Sequence, residues 1–143
     1  MTQENKELLF IDLCNRIHYK TICASKRFDK SILIGMDDDG ATFSHVDSLS
    51  QTTYELLDII EFDVKPYLRP LSSMTEEEKK EYINIDNRSY SCPIDYAHIP
   101  ASERIDWFNA HHFDYRGLIE KGLAIAVTKD NNPYEIEMMN KGH

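Results

Sequence analysis

Residues 31–46 have the sequence SILIGMDDDGATFSHV, and this stretch decides the class of fold. Its first six residues form a short, mostly apolar run, and residues 41–46 alternate between polar and apolar side chains, which is typical of β-strands. Asp39-Gly40 between the two runs is a strong turn signal, because glycine accepts backbone angles that a tight hairpin turn requires. The stretch therefore predicts a β-hairpin.

The segments before the hairpin predict a helix and a further strand. Residues 5–17 carry Leu9, Leu13 and Ile17 at a four-residue spacing, which indicates an amphipathic helix that could pack on a sheet. Residues 19–24 contain β-branched side chains and predict a strand beside the hairpin.

The segment after the hairpin is harder to assign. Residues 48–53 are polar and predict a loop, whereas residues 54–60 suit a short helix. Residues 60–64 alternate as a strand that Lys65-Pro66 would end, since proline cannot donate to the hydrogen-bond ladder of a sheet. Residues 66–70 then predict an extended connector.

The second half of the chain predicts helices. Thr75 can cap a short, polar surface helix over residues 76–83, and Glu78 stands where it completes a capping box. An irregular stretch follows, and Ser102 can cap a second helix that runs to about residue 112.

The last part of the sequence predicts one more strand, followed by polar residues. Residues 123–127 form an apolar run that predicts a buried strand, and the end of the chain, from residue 128, is polar and expected to fray.

These elements predict an α+β fold in a single domain over residues 1–143. Its parts are a helix plus β-sheet part over residues 1–70, a helical part with a final strand over residues 71–128, and a polar tail over residues 129–143. The sheet would contain about four or five mostly antiparallel strands from residues 19–64, and it could curl into a small barrel.

Composition limits the partners that the chain can bind. The formal net charge is −9, from 25 acidic and 16 basic residues, and the Lys and Arg residues are scattered. Direct binding to nucleic acid or to an anionic membrane is therefore disfavoured. Acids cluster at residues 37–39, 55–63 and 76–78. They could form an ordinary acidic surface or one that competes with nucleic acid for a basic groove on another protein.

The cysteines and the apolar runs indicate a cytoplasmic protein. Cys14, Cys23 and Cys92 show no C-x-x-C spacing, and the polar N-terminus does not resemble a signal peptide. No apolar run is long enough to span a membrane. We expect reduced thiols, with Cys14 and Cys23 as small core residues. The oligomeric state is left open.

The adjacent pair His111 and His112, followed by Asp114, raises the possibility of a metal site. Adjacent helical residues point about 100° apart, so the two imidazoles cannot share one ligand face. One histidine with distant partners, such as His98 or Asp106, remains an alternative, but we predict no metal and no cofactor.

The alternative to a metal site is that both histidines have structural roles. His112 would pack below Phe108 and Ile105 on the helix face, while His111 would be exposed or bonded to a backbone carbonyl.

Other catalytic signatures are missing from the sequence. Asp37-Asp38-Asp39-Gly40 fails as a calcium loop because Gly35 and Val46 stand where carboxylates would be required. No G-x-S-x-G elbow and no glycine-rich phosphate loop occur. We therefore predict no catalytic residues.

Tyr67, Arg69, Trp107, Tyr115 and Arg116 are the candidate binding residues. If they converge, they would form an aromatic and cationic surface for a nucleotide, a peptide or a protein. We favour the alternative that Trp107 and Tyr115 are partly buried where the last helix meets the sheet, with Arg116 capping carbonyls.

Two segments carry a resemblance. They are residues 65–81, KPYLRPLSSMTEEEKKE, and residues 105–124, IDWFNAHHFDYRGLIEKGLA, and residues 12–16, DLCNR, fit the same layout. They resemble a widespread set of short proteins of phages, prophages and mobile elements in gut anaerobic bacteria. The resemblance implies no activity and no site residue, and residues 84–104 depart from it. It implies an accessory protein in a host cytoplasm.

Three functions follow as hypotheses. The leading one, which the resemblance implies, is a non-enzymatic protein that binds a host or defence-system protein, as an inhibitor or a nucleic-acid mimic. The second is a small-molecule or nucleotide binder at the candidate residues. The third is a metal-dependent enzyme that uses His98, His111 or His112.

Overall fold

The computed structural model describes residues 2–45, 50–91 and 98–134, with the backbone alone at 86–91 and 98–102. The chain has an α+β fold, as the sequence predicts. In chain order the helices and strands are α1 (Gln3–Asn15), β1 (Ile22–Ala24), β2 (Ser31–Met36), β3 (Gly40–His45), β4 (Gln51–Glu55), α2 (Leu56–Glu61), β5 (Lys65–Leu68), α3 (Glu76–Ser91), α4 (His98–Ala110) and β6 (Ile125–Ala126).

The strands form one open sheet in the order β4-β3-β2-β1-β5-β6. Neighbouring strands are antiparallel except β5 and β6, which are parallel. The sheet does not close, so the possibility of a small barrel is wrong. Strands β1 to β4 lie side by side in chain order, whereas β5 crosses from the β4 edge to pair with β1, and β6 returns from a still more distant part of the chain.

The predicted hairpin is confirmed as β2 and β3. The Asp37 carboxylate accepts hydrogen bonds from the backbone N–H of Asp39 at 2.9 Å and of Gly40 at 3.1 Å. These bonds close the turn, since an aspartate side chain can replace a backbone acceptor there.

Parts of the segment from residue 48 to residue 70 differ from prediction. Residues 51–55 form β4 rather than a loop, because Thr52, Thr53 and Tyr54 suit a strand and Tyr54 is buried against the hairpin. Residues 56–61 form α2, which confirms the short helix expected over residues 54–60, and the alternative of a strand over residues 60–64 is wrong.

Pro66 lies inside a strand instead of ending one. β5 begins at Lys65 and pairs with β1, with Pro66 opposite Cys23, so the extended connector is a strand within the sheet.

One face of the sheet is covered by α1 and α2. The buried side chains of this main core are Leu9, Leu13, Cys23, Leu33, Ala41, Phe43, Tyr54, Ile59 and Val64. Cys23 is buried as expected, but Cys14 is exposed because it lies on the outer face of α1.

A second, smaller cluster contains Ile22, Tyr67, Val127 and Tyr134. The Tyr134 hydroxyl accepts a hydrogen bond from the Ile22 N–H at 3.0 Å and donates one to the Tyr67 carbonyl at 2.7 Å. It therefore joins β1 to β5. The prediction that the chain frays from residue 128 is wrong for residues 128–134. The residues after Tyr134 lie outside the described part.

The bounds of α3 and α4 differ from those predicted. α3 continues to Ser91 instead of ending at residue 83, and α4 begins at His98, so Ser102 does not cap it. Pro100 is compatible with this start, because the first turn of a helix has N–H groups without helical partners. The final strand is limited to Ile125 and Ala126.

No helix of the described ranges is long and apolar enough to cross a membrane.

Candidate functional site

The five candidate residues lie in three different environments. Tyr67 belongs to the second cluster beneath Tyr134 and is only 5% exposed. Burial raises the pKa of its hydroxyl. Tyr67 therefore serves the core and does not join the other four residues.

Arg69 and Trp107 meet on the ring of Phe113. The Arg69 guanidinium carbon lies 4.2 Å from the centre of the ring, and the Trp107 ring stacks on it with a centroid distance of 5.6 Å and an angle of 17°. Phe113 is fully buried, so the three side chains form a wall between β5 and α4.

The Arg69 guanidinium is already held by a carboxylate. Its two terminal nitrogens each donate to Glu78 at 2.7 Å, which is the bidentate geometry of strong Arg–carboxylate pairs. Glu78 also completes the predicted capping box, since it accepts from the Thr75 N–H at 2.9 Å and the Thr75 hydroxyl accepts from its N–H at 3.1 Å. Arg69 lowers the pKa of Glu78 to about 2, although burial by itself would raise this pKa.

His111 joins this ion pair instead of a backbone carbonyl. Its Nδ1 lies 3.2 Å from a Glu78 carboxylate oxygen, and its ring packs on Trp107 with a centroid distance of 4.3 Å. The Trp107 indole N–H donates to Glu81 at 3.1 Å. The cluster fastens α3 to α4.

Arg116 binds a different carboxylate, that of Asp12, and Tyr115 lies against Arg116. Arg116 donates to Asp12 at 2.9 Å and to the Tyr115 hydroxyl at 2.9 Å. The expectation that Arg116 caps carbonyls is therefore wrong. Tyr115 is half-buried, as expected, and its hydroxyl donates to Asn109 at 2.9 Å.

Arg16 completes this second polar network. It is fully buried, donates to Asp12 at 2.8 Å and donates to the Phe113 carbonyl at 2.7 Å. Sequence reasoning missed Asp12 and Arg16 as a pair, although their four-residue spacing on a helix was a visible signal. The network ties α1 to the turn after α4.

His112 does not lie on the helix face with Phe108 and Ile105. It follows α4 with φ of 62°, and the Phe113 N–H bonds back to the Phe108 carbonyl, which is the geometry of a helix C-cap. Its ring stacks on Tyr134 with a centroid distance of 3.6 Å. Burial, with Arg16 and Arg69 nearby, lowers the pKa of His112 to about 3.

The two adjacent histidines thus have separate partners. Within the part of the chain that the structure describes, no group of three or more His, Cys, Asp or Glu side chains is placed to hold a metal. The His98 side chain is outside that part, as are the side chains over residues 86–102, where the sequence departs from the resemblance.

The remaining feature is an acidic surface at one end of the sheet. Gly40 pairs with Glu55, and this register brings the β2–β3 turn beside the start of α2. A shallow depression of about 350 Å³ lies there. It is lined by Asp38, Asp39, Glu55, Leu56 and Leu57, and we call these residues the acidic end.

The acidic end combines negative charge with an exposed apolar side chain. Leu57 is 73% exposed, the largest exposure of a big apolar side chain among the described residues. The sequence over residues 31–64 contains no lysine and no arginine. The third acidic group, over residues 76–78, lies on α3 and contributes Glu78 to the Arg69 pair.

Comparisons with known proteins give no further guide: no protein-family model, no curated protein and no solved structure matches the chain.

Proposed function

We propose that this chain is a small, non-enzymatic binding protein that engages a basic surface of a host or defence-system protein through the acidic end. The observation that supports the proposal is the meeting of two acidic segments, distant in sequence, around the exposed Leu57. The resemblance to proteins of phages and mobile elements adds the context of a bacterial cytoplasm.

The acidic end supplies both parts of a protein interface. Burying an exposed leucine contributes roughly 1.5–3 kcal/mol, which can anchor a complex. Carboxylates around it accelerate encounter with a positively charged partner and reject acidic ones. A partner that presents Lys or Arg around an apolar contact would complement this surface.

Inhibition by nucleic-acid mimicry is one form of this function. The carboxylates of Asp38, Asp39 and Glu55 line one depression, and residues 31–64 contain no lysine and no arginine. Such a surface can occupy a groove that otherwise holds phosphates. The same charge opposes direct binding of nucleic acid by this chain.

The alternative of a nucleotide binder has weaker support. A nucleotide pocket at the candidate residues would need one surface shared by Tyr67, Arg69, Trp107 and Tyr115. Tyr67 lies in a separate cluster, and Glu78 occupies both terminal nitrogens of Arg69.

The test is affinity purification from a host cell followed by measurement with the purified partner. We expect a complex at low salt that weakens as salt is added, because screening reduces attraction between exposed charges. The double substitution Asp38→Lys with Asp39→Lys should weaken it at least about tenfold, equivalent to 1.4 kcal/mol.

A matched control reverses two acids elsewhere. Glu76→Lys with Glu77→Lys makes the same change of charge at exposed positions of α3 and should leave the complex nearly intact. If no protein is recovered reproducibly, or if both double variants weaken binding equally, the proposal is wrong.

A further inference from the structure

β4 is an edge strand whose outer side has no partner strand in the described sheet. The His45 N–H bonds to the Ser50 carbonyl, which makes His45 and Ser50 a hydrogen-bonded pair. In an antiparallel ladder such pairs alternate with non-bonded pairs. The residues of β4 that direct N–H and C=O groups away from β3 are therefore Gln51, Thr53 and Glu55.

Two of these residues offer an open set of backbone groups. The Glu55 N–H is taken by the Asp58 carboxylate at 3.2 Å, which leaves Gln51 and Thr53. Both residues are exposed, and their side chains are polar. An edge of this kind can accept an additional strand, because each outward N–H and C=O gains a partner.

The same edge leads into the acidic end. Glu55 is the last residue of β4 and also lines the depression with Leu56 and Leu57. A strand added along β4 would therefore extend over carboxylates and an exposed leucine. Backbone pairing would give affinity, while Lys or Arg side chains of the added strand would supply charge complementarity.

We propose that β4 binds an extended, lysine- or arginine-rich segment of the partner protein as an added seventh strand of the sheet. This inference deepens the proposed function and rests on it. It names the kind of partner segment, the strand that receives it and the backbone groups of Gln51 and Thr53 that hold it.

A second copy of this chain is a poorer occupant of the edge. Two copies paired through β4 would bring two acidic ends to one shared edge, and each chain carries a net charge of −9. A large net charge of the same sign on both copies opposes their association. Charge therefore favours a basic strand over self-association.

The experiment uses a short peptide of alternating lysine and valine with the whole protein. Binding is followed by the amide resonances of β4 and by protection of the Thr53 N–H from hydrogen exchange. We expect shifts centred on residues 51–55, with cross-strand contacts at Thr53. A peptide of the same sequence with N-methylated alternate amides cannot complete the ladder and should bind at least about tenfold more weakly.

Two substitutions at one position test the protein side. Thr53→Pro removes the outward N–H, a change that edge strands tolerate when that group faces solvent. Thr53→Val also removes the hydroxyl that contacts Thr42 but keeps the N–H. Only the proline variant should lose the peptide. The N-methylated peptide examines the same bonds on the unaltered protein, so the test does not depend on the folding of T53P.

Several outcomes would overturn strand addition. These are no binding at millimolar peptide, equal binding by T53P and T53V, equal binding of the N-methylated peptide, or a dimer of the chain that T53P abolishes. If a captured partner is lost with the Asp38 and Asp39 variant but retained by T53P, the proposed function survives and strand addition fails. If no partner is captured, the proposed function fails, whatever the peptide shows.

Discussion

Glu78 illustrates how one carboxylate can serve three neighbours. It accepts two hydrogen bonds from Arg69, caps the first turn of α3 through Thr75 and lies within 3.2 Å of His111. Its side chain is only 13% exposed, so solvent does little to weaken these interactions. Of these partners, Arg69 contributes most to a pKa of about 2.

The low pKa of Glu78 makes a stabilising contribution that depends on pH. Because the folded-state pKa of about 2 lies below the ordinary 4.5, the contribution is complete above pH 4.5 and is lost as the pH falls toward 2. We expect Glu78→Gln to lower the free energy of unfolding by about 1–3 kcal/mol at pH 7. Urea unfolding at neutral and acidic pH measures this difference, which should shrink with acid.

The exposed neighbour Glu77 provides the control. Glu77→Gln should change the free energy of unfolding by less than about 0.5 kcal/mol at either pH. A loss in Glu78→Gln that is the same at neutral and acidic pH would contradict the role of its charge.

At the scale of elements, the β3–β4 ladder depends on a close backbone approach at Gly40. A Cβ atom there would lie 1.9 Å from the Tyr54 carbonyl oxygen, whereas a Cβ at Gly35 would meet only the Thr42 Cβ, at 4.0 Å. The two glycines of the hairpin thus differ in what they permit. Position 40 requires glycine because a Cβ atom does not fit there, whereas position 35 has room for one.

This contrast gives a matched pair of substitutions. We expect Gly40→Ala to destabilise the protein by about 3 kcal/mol, because backbone atoms must shift to admit the methyl group. Gly35→Ala should cost less than about 1 kcal/mol. Thermal unfolding of both variants measures the difference, and equal melting temperatures would show that the β3–β4 contact is looser than described.

At the scale of the whole molecule, Asp12 connects the first helix to the turn after the last one. Arg16 and Arg116 each donate to one of its oxygens, and Arg16 also reaches the Phe113 carbonyl. Asp12 and Arg16 are both fully buried. Removing one member of such a pair leaves a charge without compensation in a region of low dielectric constant.

We expect Asp12→Ala to lower the free energy of unfolding by about 3–5 kcal/mol, since two arginines would lose their common carboxylate. Urea denaturation provides the measurement. Glu7→Ala, on the exposed face of the same helix, should cost less than about 0.5 kcal/mol. A small effect of Asp12→Ala would mean that water replaces the carboxylate and that the network does not hold α1 in place.

Local signals in the sequence determined part of this protein. The α+β class, the hairpin over residues 31–46 and the capping box of Thr75 and Glu78 each depend on residues close together in the chain, whose spacing fixes their geometry. The bounds of α3 and α4 were missed because the residues after 83 have weak helix propensity, and propensity takes no account of the packing of the two helices against each other.

The tertiary structure alone decided which distant residues meet. β6 joins β5 and Tyr134 bridges β1 to β5, although neither contact is encoded by spacing. It also placed Tyr67 in a different cluster from Arg69 and paired Arg69 with Glu78. The acidic end arises only because strand register sets Gly40 opposite Glu55. Charge clusters are visible in a sequence, but their convergence is not, because it depends on long-range pairing whose stability comes from the packed core.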